Sequence, residues 1–238
     1  MNQETNIQQS IQQTSPDPGE VLLIDKPLTW TSFDVVKKLK FAGKFKKIGH
    51  AGTLDPLATG LLILCTGKMT KQIDSFQAQE KEYSGTFVLG KTTPSIDLET
   101  EFDEEFPIEH INETVLQEAL SKFQGKILQI PPIYSAIQVN GKRLYELARK
   151  GKTDADIEIK SREVEISKFE INTTNFPEIK FSIVCSKGTY IRSLVRDFGL
   201  ACQSGAYLSS LRREKIGDFD VKNALTIEEF IEQRKVNQ

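Results

Sequence analysis

Gly49-His50-Ala51-Gly52-Thr53-Leu54-Asp55-Pro56-Leu57-Ala58-Thr59-Gly60-Leu61-Leu62 is the stretch on which the reading of this chain turns. Gly49, Gly52 and Gly60 permit backbone shapes that other residues resist. Pro56 fixes φ directly after Asp55. Leu54, Leu57, Leu61 and Leu62 can anchor the segment in a core. It reads as a shaped loop over 49–60 that holds one carboxylate in a defined place and runs into a buried strand, Leu61–Cys65. The plainer alternative is that Asp55 brackets a turn, as most loop aspartates do. No Lys-Ser or Lys-Thr pair closes the loop, so it is not a phosphate cradle.

On the N-terminal side, residues 1–18 are rich in Gln, Asn, Ser and Pro and read as a disordered tail. A strand is expected over Glu20–Asp25, then a helix from Thr31 or Ser32 through Lys40 with Phe33, Val36 and Leu39 near one face. On the C-terminal side, Met69–Gln77 reads as a helix and Glu82–Leu89 as an alternating strand. Asn112–Phe123 reads as a helix ended by Gly125. Ser135–Val139 suggests a strand and Arg143–Lys150 a helix. Glu163–Ile171 and Glu178–Ser186 read as neighbouring strands. Thr189–Cys202 is a helix capped by Thr189, Tyr207–Ile216 a strand, and Thr226–Arg234 a capped terminal helix. Strands and helices mix without strict βαβ alternation, so the fold class is α+β with a largely antiparallel sheet. Residues 19–238 form one domain in this reading.

The 238 residues carry 33 acids against 31 Lys and Arg, a net charge of −2. That total excludes a general nucleic-acid coat. It also conceals a strong asymmetry. Residues 91–120 hold nine acids and one Lys; removing that −8 leaves +6 on the rest. Lys37, Lys38, Lys40, Lys44, Lys46 and Lys47 face a single acid, Asp34, across 31–50. Three scattered Cys and two His offer neither a disulfide framework nor a zinc pattern. With no signal peptide and no long apolar run, the expected location is the cytoplasm.

Three further motifs carry chemistry. Cys185-Ser186-Lys187-Gly188-Thr189-Tyr190-Ile191-Arg192-Ser193-Leu194 places an arginine in the first turn of a helix. The positive end of the helix dipole disfavours a cation there, which points to a carboxylate or phosphate partner. A surface salt bridge is the competing reading. Lys81-Glu82-Tyr83-Ser84-Gly85-Thr86-Phe87-Val88-Leu89-Gly90 offers Tyr83, either a core aromatic or a ring that stacks on a planar ligand. Pro131-Pro132-Ile133-Tyr134-Ser135-Ala136 is a stiff aromatic segment that leads into a basic helix.

Together with Lys26-Pro27 and Leu211-Arg212-Arg213, these stretches resemble the TruB-type tRNA pseudouridine synthases, in the family's order and over about residues 19–235. The form G-T-L-D-P-x-A-T-G is specific to that family among pseudouridine synthases. The resemblance implies a pseudouridine synthase fold with the active site in a central cleft, in the form without a C-terminal PUA domain. It implies isomerisation of uridine 55 in the TΨC loop of tRNA. Asp55 is then the catalytic carboxylate. Tyr83 stacks on the base and handles a proton late in the reaction. Arg192 pairs with Asp55 and keeps it ionised. Tyr190 and Leu211 line the base pocket, and His50 occupies the gap left by the flipped uridine. The partner is the tRNA T-arm and T loop, with no membrane, no obligate protein partner and a monomeric enzyme.

The chemistry agrees with those roles. The N1 glycosidic bond breaks, the uracil rotates, and it rejoins through C5, with no redox change and no energy source. One enclosed carboxylate can attack the base, attack the sugar or remove the C2′ proton, so neither metal nor cofactor is implied. The base must leave its stack, which calls for an aromatic pocket. Two other readings compete: an RNA chaperone that aids tRNA folding, and a synthase for a different RNA such as a ribosomal helix. Faster tRNA folding by an Asp55→Asn protein would mark the first, and preference for ribosomal fragments the second. Replacing Lys44, Lys46 and Lys47 with Ala is expected to weaken tRNA binding and flatten its salt dependence.

Overall fold

The computed structural model describes residues 18–139, 141–153 and 156–236. The polar tail lies outside them except for Pro18. In chain order the first elements are β1 (Val21–Lys26), α1 (Ser32–Ala42), β2 (Ile48–His50), β3 (Ala58–Thr66), α2 (Ile73–Ala78) and β4 (Lys81–Leu89). Next come α3 (Glu113–Ser121), β5 (Gly125–Gln129), the short pair β6 (Gln138–Val139) and β7 (Lys142–Arg143), and α4 (Leu144–Ala148). The chain closes with β8 (Arg162–Asn175), β9 (Glu178–Cys185), α5 (Ile191–Ala201), β10 (Ala206–Ile216), β11 (Phe219–Asp220) and α6 (Ile227–Val236).

Nine strands form one sheet in the order β1-β3-β10-β4-β9-β8-β5, with β2 on β3 and β11 on β10. Every pairing in it is antiparallel except β3 with β10. This is the α+β, largely antiparallel fold that the pattern of elements predicts.

β3 explains why both faces are covered. Its sequence, Ala-Thr-Gly-Leu-Leu-Ile-Leu-Cys-Thr, is apolar at alternate residues on both sides. Leu62 and Leu64 join Ile24 against Val35 and Leu39 of α1 and Ile227 and Phe230 of α6. Leu61, Ile63 and Cys65 pack the other way, with Ile216 and Val221. The largest core lies around α5, whose Ile191, Leu194, Val195 and Phe198 are buried. The Phe198 ring meets the edge of Phe87 at 5.2 Å and of Phe169 at 5.8 Å. A separate small core of Ile133, Leu144 and Ala148 holds the β6–β7–α4 segment together.

Several boundaries differ from expectation. The buried side of α1 is Ser32, Val35 and Leu39, and Phe33 is exposed. The helix is rotated because the Ser32 hydroxyl is bound to the backbone of Leu54. Gly49 and His50 pair with Cys65 and Leu64 in β2, so the irregular part of the loop is only 51–57. The helix expected at Met69–Gln77 is a 3-10 turn, Gly67–Gln72, followed by the short α2. Strand pairing within Ser135–Val139 is limited to Gln138–Val139, because Ser135 N–H turns back to the Ile133 carbonyl. Thr189 does not cap α5: its hydroxyl donates to the Ser186 carbonyl, and Tyr190 is the cap residue.

At Gly60 the backbone of β3 lies against Arg213 of β10. Its φ is +101°, and a Cβ there would lie 2.3 Å from the Arg213 carbonyl oxygen. Gly151 also has a positive φ, +81°, but has open space around it. Gly151→Ala is therefore expected to cost about 1–2 kcal/mol. Gly60→Ala adds a backbone clash and is expected to cost roughly 3 kcal/mol or more. Urea denaturation of the two variants checks the difference.

Candidate active site

The loop that carries Asp55 is fastened from several sides. Ser32 Oγ accepts from Leu54 N–H at 2.9 Å and donates to Leu54 O at 3.2 Å. Lys26 is fully buried and its ammonium donates to the carbonyls of Pro27, Trp30 and Pro56 at 2.9, 2.6 and 3.3 Å. Burial pulls this lysine down to about 8, and the Asp55 charge opposes that fall. Thr29 N–H also donates to Pro56 O, at 2.9 Å. The carbonyls on either side of Asp55 are thus spoken for, and the carboxylate is left facing the cavity.

Its partner comes from α5. Arg192 sits in the first helical turn, only 4% exposed, and its Nη2 lies 2.9 Å from Asp55 Oδ2. The same guanidinium donates to Ser95 O at 3.0 Å and Tyr134 O at 2.7 Å. Asp97 Oδ2 is 3.7 Å from its Nε. Burial raises the Asp97 carboxyl above its ordinary value, and the Arg192 charge works against that rise. Ile96, between Ser95 and Asp97, has φ +64°, a strained value for a β-branched residue. That kink turns the Ser95 carbonyl and the Asp97 carboxylate toward one guanidinium.

The cavity beside this pair has a volume of about 290 Å³. Tyr83, Leu211 and Arg213 form part of its wall, and Tyr190, Arg162 and Ser135 another part. Tyr190 is fixed through its backbone: Gln129, fully buried, accepts from Tyr190 N–H at 2.8 Å and donates to its carbonyl at 3.1 Å. The Arg162 guanidinium lies over the Tyr190 ring, 4.6 Å from its centre. Burial pushes the Tyr83 phenol up, with Arg213 the main opposing charge. Burial pulls Lys81, also on the wall, down to about 8.

Five of the six residues named from the sequence meet here: Asp55, Tyr83, Tyr190, Arg192 and Leu211 all line one cavity. His50 does not line it; it lies on β2, and burial holds its imidazole below the ordinary value. The dipole argument for Arg192 left a carboxylate or a phosphate open, and two carboxylates face the guanidinium. Sequence reasoning left Gln129 and Arg213 without roles. Strand alternation could have separated the two arginines of Leu211-Arg212-Arg213. Leu211 and Arg213 face the cavity, whereas Arg212 turns away to grip Asp25 at 2.7 and 3.0 Å. Among the described residues no cluster of His, Cys, Asp and Glu could hold a metal ion, and no helix is long and apolar enough to cross a membrane.

Comparison with known proteins decides the family. Residues 38–191 match the N-terminal domain model of TruB family pseudouridylate synthases. The tRNA pseudouridine synthase B of Flavobacterium johnsoniae is 59% identical over 221 residues, covering 90% of this chain and 95% of its own. The chain belongs to the TruB family of pseudouridylate synthases. A second TruB relative, tRNA pseudouridine synthase B of Phocaeicola vulgatus, is 53% identical over 90% of this chain and 92% of its own. Among solved structures, that of a Cbf5-Nop10-Gar1 complex aligns with a TM-score of 0.69 and 26% identity. It covers 89% of this chain, which spans about half (53%) of that structure's chain.

As a TruB enzyme, the chain is an isomerase, and the contacts of Arg192 set an expectation for its replacement. Arg192→Gln leaves Asp55 and Asp97 without their counter-charge. Pseudouridine formation in single-turnover assays is expected to fall by about 10²–10³-fold. Stability is expected to fall by about 3 kcal/mol in urea titrations, because Asp97 would remain buried and unpaired.

Proposed function

We propose that this chain converts uridine 55 in the TΨC loop of tRNA to pseudouridine, with Asp55 as the essential carboxylate. The observation that carries the reading is Asp55 held 2.9 Å from a nearly buried Arg192 at the wall of a cavity shared with Tyr83, Tyr190 and Leu211. The naming of both relatives as tRNA pseudouridine synthase B, across almost their whole length, supports tRNA as the substrate class.

The residues divide the work as follows. Asp55 supplies a negative charge where the glycosidic bond breaks. Attack on the base, attack on the sugar and removal of the C2′ proton all use this carboxylate, and Arg192 pairs with it across 2.9 Å. Tyr83 and Tyr190 offer aromatic faces to a uracil taken out of its stack, and Leu211 closes the pocket with an apolar side chain. Tyr83 takes the C5 proton once the new carbon–carbon bond has formed. His50, on β2 beside the catalytic loop, fills the place that the flipped uridine leaves in the RNA.

The charge distribution suits a folded RNA recognised by shape and backbone. Lys37, Lys38, Lys40, Lys44, Lys46 and Lys47 are all exposed on and just after α1, whose first turn is fastened to the catalytic loop through Ser32. The acids from Glu99 to Glu118 are also exposed, while Asp97 is drawn inward to Arg192. The enzyme acts as a monomer in the cytoplasm in this account.

Incubation of the purified protein with unmodified tRNA, followed by chemical adduct mapping, is expected to place pseudouridine at position 55. Asp55→Asn is expected to lower turnover by more than about 10³-fold while tRNA affinity changes less than about threefold. Absence of modification at position 55 by the wild-type protein would overturn the proposal.

A further inference from the structure

Among the described residues Arg213 is the largest fully buried side chain, 1% exposed. No carboxylate among the described residues forms an ion pair with it. Its Nε donates to Leu61 O at 2.7 Å and its Nη2 to Gly52 O at 3.2 Å. Two carbonyls satisfy part of its hydrogen-bonding capacity and none of its charge. A buried cation of this kind is costly unless an anion, present or forming, faces it.

The strand register identifies the group that faces it. In the antiparallel β4–β10 pair, Arg213 lies directly opposite Tyr83, and Leu211 opposite Gly85. Opposed residues project to the same side of the sheet. The guanidinium therefore lies beside the Tyr83 phenol, and both line the cavity that contains Asp55. Gly52, whose φ is +92°, passes close to the guanidinium: a Cβ there would lie 3.6 Å from Arg213 Nη1. Arg213 thus ties the base of the catalytic loop, through Gly52, to the ring that meets the substrate.

We propose that Arg213 is a positioning residue for Tyr83: it fixes the phenol against the cavity wall and provides the positive charge that stabilises the phenolate. The inference rests on the reading of Tyr83 as the group that takes the C5 proton. That step balances as follows. Tyr83 phenolate takes the proton from C5 and becomes the phenol, and the C–H electron pair returns to the uracil ring. N1, left with a lone pair when the glycosidic bond broke, is protonated from solvent. The phenol returns its proton to solvent before the next cycle. The phenolate is the costly species, because burial disfavours it.

Other charges surround the same ring. Asp55 from the catalytic loop and Cys185 from β9 oppose the phenolate. Lys81 on the same strand and Arg192 on α5 also line the cavity. Arg213 is the chief charge favouring the phenolate, so its removal moves Tyr83 further upward.

The test compares Arg213→Gln and Arg213→Lys, each alone and combined with Tyr83→Phe, by single-turnover rate against pH. Tyrosine ionisation is followed by ultraviolet difference spectra, with Tyr83→Phe as the blank. Rate rises with pH as the phenolate fills. Arg213→Gln is expected to move that rising limb, and the Tyr83 ionisation, up by at least about one pH unit, with a rate loss of tenfold or more at neutral pH. Arg213→Lys keeps the charge and should recover most of the shift. In the Tyr83→Phe background, Arg213→Gln should cost less than about threefold more. A rate loss of equal size in both backgrounds, or an unmoved limb and ionisation beside an impaired Tyr83→Phe enzyme, would overturn the proposal alone. Full activity of Tyr83→Phe would remove the reading of Tyr83 and this inference with it.

Discussion

The contact on which the site depends is the pairing of Asp55 with a nearly buried Arg192. A carboxylate facing a cavity walled by tyrosines and leucines would lose much of its hydration without a counter-charge. Arg192 supplies that charge from the first turn of α5, where the helix dipole alone would disfavour it. The cost is met by convergence: Asp55, Asp97 and the carbonyls of Ser95 and Tyr134 surround one guanidinium. Residues from four separate stretches of the chain must be in place for that arrangement to exist. The carboxylate's environment is therefore a product of the whole fold.

The rest of the architecture serves to keep this arrangement still. β3 anchors the Asp55 loop between β1 and β10, because its alternate residues are buried on both faces. The parallel pairing of β3 with β10 brings Leu211 and Arg213 next to that loop, and the antiparallel pairing of β10 with β4 sets Tyr83 across from Arg213. Lys26 and Ser32 fasten the loop from the N-terminal side. The site is assembled on strands and a helix terminus, with short irregular segments clamped between them, as a group that must hold sub-ångström geometry requires.

Much of this was legible in the sequence, and the residues themselves explain the limits. The glycine and proline spacing around Asp55 pointed to a loop that holds a carboxylate, and Arg192's unfavourable position pointed to a carboxylate or phosphate partner. The strands β1, β3, β4, β8, β9 and β10 were legible, whereas β2 was read as part of the loop. What stayed hidden were buried polar groups whose partners lie far away in sequence. Gln129 meets Tyr190 across 61 positions, and Arg213 meets Leu61 across 152. Side-chain periodicity carries no signal for such pairs. Phe33 was placed on the wrong face of α1 because apolar spacing was read where a serine hydroxyl bound to the Leu54 backbone sets the rotation.

The most direct measurement is the modification state of total RNA from cells that lack this protein. The account predicts uridine at position 55 of the tRNAs, unchanged ribosomal sites, and recovery of pseudouridine 55 by the wild-type chain but not by Asp55→Asn. Pseudouridine still present at position 55 in those cells, or lost only from another RNA, would contradict it.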